Sequence, residues 1–297
     1  VFNEDSVRVC IEAAVELDSP LIIDVLPDNH KDIVSFGKLI CSMANEVRIP
    51  IALNLDHGDS FEACVKAIYG GFTGVMVDRS ALSFEENARQ VAEFKNICAP
   101  LGITVEAEFG QIADGCDYEE KRDEYLTDPV KAKEFVEKSG CDCLAVSIGE
   151  AHGEYTGKGP DIDFERLKEI KNLVDVPLVF HGGSFSGFEN IAECCRIGTQ
   201  KVNMGTDAYN YGLDCLFHDG RYQNGENIGA RMAGDIMWAG YKERVMDYMK
   251  VTGSVGKNWI KIEHYGTVMK NGTHRFSQNR QSFDTWAGMY AVVVQDE

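Results

Sequence analysis

Several features that mark other classes of protein are scarce or absent in this 297-residue sequence. It has no run of about 18 apolar residues, which a membrane-spanning helix requires, and no charged-then-apolar leader at its start. Basic residues are few, because 29 Lys and Arg stand against 48 Asp and Glu, a net charge of −19. Such a surface repels phosphate backbones and anionic lipids, so we expect neither a nucleic acid nor a membrane as partner.

Zinc-ribbon and thiol-redox motifs are also missing. The sequence has ten cysteines, but no two of them have C-x-x-C spacing, and the tightest pairs are Cys141 with Cys143 and Cys194 with Cys195. We interpret the cysteines as small buried hydrophobic residues in a reducing compartment, and we expect a cytoplasmic protein.

Apolar runs alternate with amphipathic helical stretches up to about residue 254. Seven runs rich in Val, Ile and Leu predict strands buried on both faces, at residues 21–26, 49–56, 74–78, 104–110, 143–149, 177–182 and 201–205. Between them apolar residues recur with helical spacing, as at Phe61, Cys64, Val65 and Ile68. The pair Asp128-Pro129 is typical of a helix start.

Strands that each precede a helix form either an eight-stranded barrel or an open doubly wound sheet. The open sheet usually carries a G-x-G-x-x-G or P-loop motif after its first strand, and neither is present. We therefore predict an α/β fold, a (β/α)8 TIM barrel, in which Val1-Phe2-Asn3 ends a first strand whose start is missing. The alternation stops near residue 256. We expect a barrel domain at 1–256 and a tail of unknown structure at 257–297, with strand character only at 289–294.

Ionisable residues gather where the predicted strands end, which is where TIM barrels place their active sites. A lone histidine is more often structural, but His57, His152 and His181 all hold this position, and Asp56 adjoins the first of them. Three histidine ligands that leave one coordination position open describe a catalytic zinc site. We therefore predict a metal centre at this end of the barrel.

Glycine-rich loops follow the last two predicted strands. Residues 182–184 and 203–206 leave room for a ligand to approach the backbone, with N–H groups able to donate. The corresponding loops of TIM barrels lead into helix N-termini and form their usual phosphate site. We therefore expect a phosphorylated small-molecule substrate.

The order of these motifs resembles the class II ketose-bisphosphate aldolases, and in particular the fructose- and tagatose-bisphosphate aldolases. The matching stretches are Leu55-Asp56-His57-Gly58, Val105–Gly110, Ala145–Gly149 through Gly153, Val179–Ser184 and Lys201–Asn203. The resemblance covers about residues 1–256. It implies reversible, zinc-dependent cleavage of a ketose 1,6-bisphosphate to dihydroxyacetone phosphate and an aldehyde phosphate, by a homodimer or higher homo-oligomer.

The resemblance also implies residue roles. His57, His152 and His181 would hold Zn²⁺, and Asp56 would exchange a proton with the aldol hydroxyl group. Asp78 and Glu108 would ligate a metal at a second, more buried position.

Substrate contacts are implied in the same way. Dihydroxyacetone phosphate would be bound by Gly153, Gly182, Gly183, Ser184, Asn203, Met204, Gly205 and Thr206. A monovalent cation, Na⁺ or K⁺, would lie close by. Arg231 would bind the far phosphate group across the dimer interface.

The chemistry agrees with these roles. Breaking the C3–C4 bond of a ketose leaves a carbanion beside a carbonyl group, and a bound metal can accept that charge. The other class of aldolase uses a Schiff-base lysine, but Lys201 lies at the wrong end of its predicted strand.

Three positions depart from the family pattern. Glu150 stands where a small polar residue is usual and could repel a phosphorylated substrate, Leu26 replaces a hydroxyl residue, and the loop at 111–119 lacks the family's glutamate. Asp114, Asp117 or Glu119 could replace that glutamate. Two alternatives therefore stay open: an aldolase for another phosphorylated ketose, and a non-catalytic paralogue that binds a sugar phosphate or a metal.

Overall fold

A computed structural model of the chain describes residues 1–114, 118–155, 159–258 and 291–294. Within these residues eight parallel strands close into a barrel and two short strands form a separate sheet. The barrel strands, in spatial order, are β1 (Leu21–Val25), β10 (Ala291–Val294), β9 (Thr199–Met204), β8 (Leu178–Phe180), β6 (Cys143–Val146), β4 (Thr104–Phe109), β3 (Gly74–Val77) and β2 (Ile51–Gly58). The small sheet pairs β5 (Ala113–Asp114) with β7 (Ala151–His152). The predicted TIM-barrel fold is confirmed, and all seven predicted strands are present.

Helices surround the barrel. They are α1 (Glu4–Glu16), α2 (Ile33–Ala44), α3 (Phe61–Tyr69), α4 (Phe84–Cys98), α5 (Tyr118–Tyr125), α6 (Pro129–Ser139), α7 (Phe164–Leu173), α8 (Phe188–Ile197), α9 (Thr206–Phe217), α10 (Gly220–Gln223) and α11 (Gly229–Val251). The predicted start of α6 is confirmed, since the Asp128 side chain accepts a hydrogen bond from the Lys131 backbone N–H. Among the described helices, none combines the length and the apolar character that a bilayer crossing demands.

The apolar stripe predicted on α3 is only partly correct. Cys64 is buried as expected, but Phe61 and Val65 are 59% and 40% exposed. The nine-residue helix turns Cys64 and Ala67 toward the barrel, which leaves Phe61 and Val65 at the edge of the contact.

Strand β10 lies between β1 and β9, where the sequence predicts a barrel strand that ends at Val1–Asn3. Val294 pairs with Ile23, and the backbone nitrogen of Val1 donates to the oxygen of the next residue, Asp24, at 2.8 Å. Val1 therefore lies just beyond β10 along the same strand position. The division into a barrel domain and a tail stays a prediction, because most of residues 257–297 lie outside the described part.

The main core lies between the barrel and its helices. Nine of the ten cysteines are described, all nine are free, and eight of them are buried. This agrees with their interpretation as small hydrophobic residues.

Candidate active site and metal centre

Three histidines converge at the mouth of the barrel, meaning the edge formed by the carboxyl ends of its strands. His57 is the penultimate residue of β2, His152 ends β7, and His181 follows β8 directly. The His57 ring centroid lies 5.1 Å from that of His152 and 4.9 Å from that of His181. One nitrogen of each ring can be chosen so that all three lie within 4.8 Å of one another. Residues distant in sequence thus present nitrogen ligands around one point.

Strand β2 brings two neighbouring residues to this site. Adjacent side chains on a strand normally point to opposite faces, yet Asp56 and His57 both face the mouth. The pairing of β2 with β3 shifts between Leu55 and Gly58, and His57 has a φ of 43°. A non-glycine residue in this left-handed region costs on the order of 1–3 kcal/mol and persists only when its surroundings enforce it.

A second group of ligand atoms adjoins the histidines. His57 Nδ1 lies 2.7 Å from Asp78 Oδ2, and His57, Asp78 and Glu108 together offer ligand atoms within 4.8 Å of one another. Glu108 accepts a hydrogen bond from the Ile112 N–H at 3.3 Å through Oε1. Its Oε2 and the His57 Nε2 are buried atoms without a hydrogen-bond partner among the described residues.

Burial and mutual charge shift the acid–base equilibria of these groups. Burial raises the pKa of Asp56 to about 7, although the neighbouring His57 opposes the rise. Burial also disfavours the charged form of His57, but Asp56 and the hydrogen bond to Asp78 outweigh it and raise the His57 pKa to about 10. For Glu108, burial and the nearby Asp78 raise the pKa to about 8. A positive charge at this point would therefore stabilise the ionised carboxylates.

A buried network of unlike charges lies beneath the histidines. His181 Nε2 is 2.9 Å from Glu106 Oε1, and the other oxygen of Glu106 accepts from Lys201 Nζ at 2.6 Å. Lys201 also lies 3.3 Å from Asp24 Oδ2. Glu106 therefore fixes the His181 ring through Nε2, and the Nδ1 of the same ring lies 3.4 Å from the amide nitrogen of Asn203.

Asn203 connects this network to Asp56. Its amide nitrogen donates to Asp24 Oδ2 at 3.1 Å and to Asp56 Oδ1 at 3.3 Å. Asp56 Oδ2 is buried and has no hydrogen-bond partner among the described residues. One oxygen of the Asp56 carboxylate is therefore held in place while the other is available to a ligand.

The two glycine-rich loops lie against each other. Ser184 Oγ accepts hydrogen bonds from the N–H groups of Gly205 at 3.0 Å and Asp207 at 3.2 Å. At Gly182 the φ is 61°, and a Cβ atom would lie 2.2 Å from the Ala151 carbonyl oxygen. A Cβ on Gly183 would likewise meet the Asn203 oxygen at 2.4 Å. Only glycine permits this packing of the loop that leads to α8.

The structure brings most of the predicted site residues to the mouth and places one of them elsewhere. Gly153 follows His152 with a φ of 68°, and Met204 and Thr206 flank the start of α9. Arg231, in contrast, lies on the first turn of α11, is 96% exposed and is 4.0 Å from Asp235. Part of the loop at 111–119, including Asp117, lies outside the described residues.

Sequence reasoning missed the support beneath the site. Lys201 and Asp24 interrupt apolar strands with charge, and Glu106 lies two residues before Glu108, hence on the same strand face. A charged residue inside a strand buried on both faces requires a partner of opposite charge. That requirement is the signal in the sequence that could have identified the network.

Glu150 is buried rather than exposed at the mouth. It is 2% exposed, and its Oε2 accepts a hydrogen bond from the Ile148 N–H at 2.9 Å. It also lies near Cys194 of α8, where its charge helps to raise the pKa of the thiol. Burial raises its pKa to about 8, so the side chain is largely neutral at pH 7. The neutral form weakens the expected repulsion of a phosphorylated substrate.

The pKa of Glu150 predicts a pH-dependent stability. The folded state holds the proton up to about pH 8, whereas the unfolded chain releases it near pH 4.5, so this residue's contribution falls as pH rises between these values. The full loss is on the order of 4 kcal/mol. We expect Glu150→Gln to unfold at higher denaturant concentration than the parent at pH 8.5 and to lose this advantage at pH 5. An advantage of equal size at both pH values would contradict the assignment.

Comparisons with known proteins agree with this geometry. A family model described as fructose-bisphosphate aldolase class-II matches residues 1–257. A fructose-bisphosphate aldolase of Thermus caldophilus is 34% identical, over 86% of this chain and 92% of that protein. The crystal structure of the YdjI aldolase from Escherichia coli K12 is 34% identical, with a TM-score of 0.76, over 87% of this chain and 91% of the other. A putative fructose-1,6-bisphosphate aldolase from Coccidioides immitis, 29% identical, has the same TM-score and the same coverage of both chains. The chain therefore belongs to the class II fructose-bisphosphate aldolase family.

Proposed function

We propose that this protein is a zinc-dependent aldolase that reversibly cleaves a ketose 1,6-bisphosphate, fructose- or tagatose-bisphosphate, to dihydroxyacetone phosphate and an aldehyde phosphate. Family membership implies a carbon–carbon lyase that acts on phosphorylated sugars. The observation that supports the finer proposal is the convergence of His57, His152 and His181 beside Asp56, next to the two glycine-rich loops.

The donor set fits a zinc ion. Three imidazoles suit this metal, and the buried, unpaired Nε2 of His57 is oriented to donate to an ion rather than to a protein group. When bound, Zn²⁺ would supply Lewis-acid stabilisation of negative charge at the substrate carbonyl oxygen. Asp78 and Glu108 would hold a metal with His57 at the second position, and Na⁺ or K⁺ would lie near the phosphate loops.

Asp56 is the group that we assign to proton transfer. Its Oδ1 is fixed by Asn203, so Oδ2 can accept the proton of the C4 hydroxyl group in cleavage and return it in condensation. The two loops at residues 182–184 and 203–206, which lie against each other, would bind the phosphate of dihydroxyacetone phosphate beside the start of α9.

The proposed role of Arg231 involves a second copy of the chain. The guanidinium of Arg231 is exposed on α11, and we propose a homodimer or higher homo-oligomer in which it completes the site of the neighbouring copy. We also propose a cytoplasmic location, where the free cysteines stay reduced.

Metal removal tests the centre itself. Exhaustive chelation should abolish cleavage, and added Zn²⁺ or Co²⁺ should restore it, because the proposed reaction uses the bound metal to accept the carbanion charge. His152→Ala should lose both the bound metal and activity, while His218→Ala, which alters an exposed histidine on the surface, should keep both. Full turnover by metal-free protein would refute the proposal.

Asp56→Asn separates proton transfer from metal binding. The amide oxygen can still accept from Asn203, so the variant should keep its zinc content, as measured by elemental analysis. Cleavage should fall by about a hundredfold or more, the scale of a lost general acid–base group. Proton exchange at the triose-phosphate carbon should fall less. Loss of zinc would instead show that Asp56 acts as a ligand.

Arg231→Met tests binding of the far phosphate. The variant should raise KM for a ketose 1,6-bisphosphate by about tenfold or more, since hydrogen bonds to charged groups contribute about 1.5–3 kcal/mol. KM for the matching ketose 1-phosphate should not change. Arg196→Met, at an exposed arginine of α8, serves as the control. Equal effects on both substrates would disprove the assignment.

A second candidate is an aldolase for another phosphorylated ketose. The observation that favours it is Leu26, which places an apolar side chain beyond β1 where the family pattern has a hydroxyl group. A retro-aldol assay over a panel of phosphorylated ketoses, coupled to detection of triose phosphate, distinguishes the two. Metal binding without turnover on any member of the panel would identify a non-catalytic paralogue.

A further inference from the structure

Arg79 is a buried cation beside the candidate metal centre that none of the roles above uses. It directly follows Asp78 and is 8% exposed. Its Nη1 donates to the Gly58 carbonyl oxygen at 3.0 Å and also contacts the Asp78 carbonyl oxygen, and its Nε donates to Gln90 Oε1 at 2.6 Å. All of these partners are neutral oxygens, so the guanidinium acts on the backbone of two strand ends rather than as half of an ion pair.

The first of these carbonyl groups belongs to the residue after His57. The regular pairing of β2 is interrupted immediately before it, and His57 itself is in the left-handed region. Gly58 has no room for a side chain, since a Cβ would lie 2.6 Å from the Met76 carbonyl oxygen. The hydrogen bond from Arg79 therefore holds the strand at the point where it departs from the conformation that strands normally adopt.

The second carbonyl group belongs to Asp78, whose side chain faces His57 across the site. One guanidinium thus joins the backbone of Asp78 to that of Gly58, the residue after His57. From the outer side, Gln90 of α4 fixes Arg79, and Gln90 in turn donates to Glu86 at 2.7 Å. A chain of hydrogen bonds connects α4 to the two strand ends.

We infer that Arg79 is a positioning residue for the metal centre: its guanidinium holds the Gly58 and Asp78 carbonyl groups so that the His57 ring faces His152 and His181. The inference rests on the proposed metal centre and deepens it. Arg79 touches neither the metal ligands' side chains nor the reacting atoms, so its effect is on the geometry with which His57 binds.

The test compares Arg79→Met and Arg79→Lys with Arg196→Met, which removes an exposed arginine of α8 that pairs with Glu193. Co²⁺ affinity is measured by competition with a chelator, and the visible spectrum of the Co²⁺ protein reports ligand geometry independently of turnover. We expect Arg79→Met to lose about 10–100-fold in affinity and to change the spectrum, the scale seen when support of a metal ligand is removed. Arg79→Lys should recover only part of this loss, because an ammonium group cannot donate in the planar geometry of a guanidinium.

Two further measurements test the role of Arg79 independently. Guanidinium at low millimolar concentration should restore Co²⁺ affinity to Arg79→Ala and leave that of Arg196→Met unchanged. If the Arg79 variants do not fold, Gln90→Leu serves instead. It removes the oxygen that accepts the hydrogen bond from Arg79 Nε, and it should lower Co²⁺ affinity severalfold. The inference is overturned if Arg79→Met folds and keeps the Co²⁺ affinity and the spectrum of the parent. It is also overturned if the Arg79 variants do not fold and Gln90→Leu keeps the Co²⁺ affinity of the parent. Either result would leave the proposed metal centre standing. A parent protein that binds no Co²⁺ would overturn the proposed metal centre as well.

Discussion

The candidate site depends on one buried cation, the ammonium group of Lys201. Burial disfavours its charge, but Asp24 and Glu106 outweigh burial and raise its pKa, so the amine stays protonated. A protonated amine cannot attack a carbonyl group, which agrees with a metal rather than a Schiff base as the electron sink. Removing the cation would leave two buried carboxylates without compensation, a change that is strongly destabilising. Because Glu106 also holds His181, the orientation of a candidate metal ligand depends on a buried lysine.

The negative charge at the mouth exceeds the positive charge supplied by the protein. Asp56, Asp78 and Glu108 lie within a small buried volume, and burial raises the pKa of two of them to about 7 and about 8. A divalent cation among these groups would favour their ionised forms and displace the proton that His57 shares with Asp78. Metal binding at this site should therefore be coupled to proton release. The carboxylates at the mouth would then increase the affinity for the metal instead of repelling an anionic substrate.

Much of the fold could be predicted from local patterns, and the site only in part. Continuous apolar runs identify strands buried on both faces, and position at the strand ends was enough to group three histidines. That Lys201 needs a carboxylate partner could be predicted, but not which one, since Glu106 is 95 residues away in sequence and the pair forms only when the barrel closes. The same holds for Ala291–Val294, whose strand character is visible in the sequence but whose neighbours β1 and β9 are not. In the sequence Arg79 is an ordinary charged residue after a predicted strand, because nothing in the sequence indicates which carbonyl groups it binds.

The alternation of side chains along each strand explains why the site has two levels. Two strands each contribute a lower residue that supports the site and an upper residue that faces the mouth, and these pairs are Glu106 with Glu108 and Lys201 with Asn203. Residues two apart share a face, so closing the barrel stacks them into layers. His57 is the exception, because it directly follows Asp56 and would face the outside of the barrel if β2 stayed regular. The shift in β2 pairing and the left-handed backbone of His57 bring both side chains to one point. The proposed proton-transfer group and the proposed metal ligand can thus be neighbours in sequence because the strand is distorted there and then held, which is the role that we infer for Arg79.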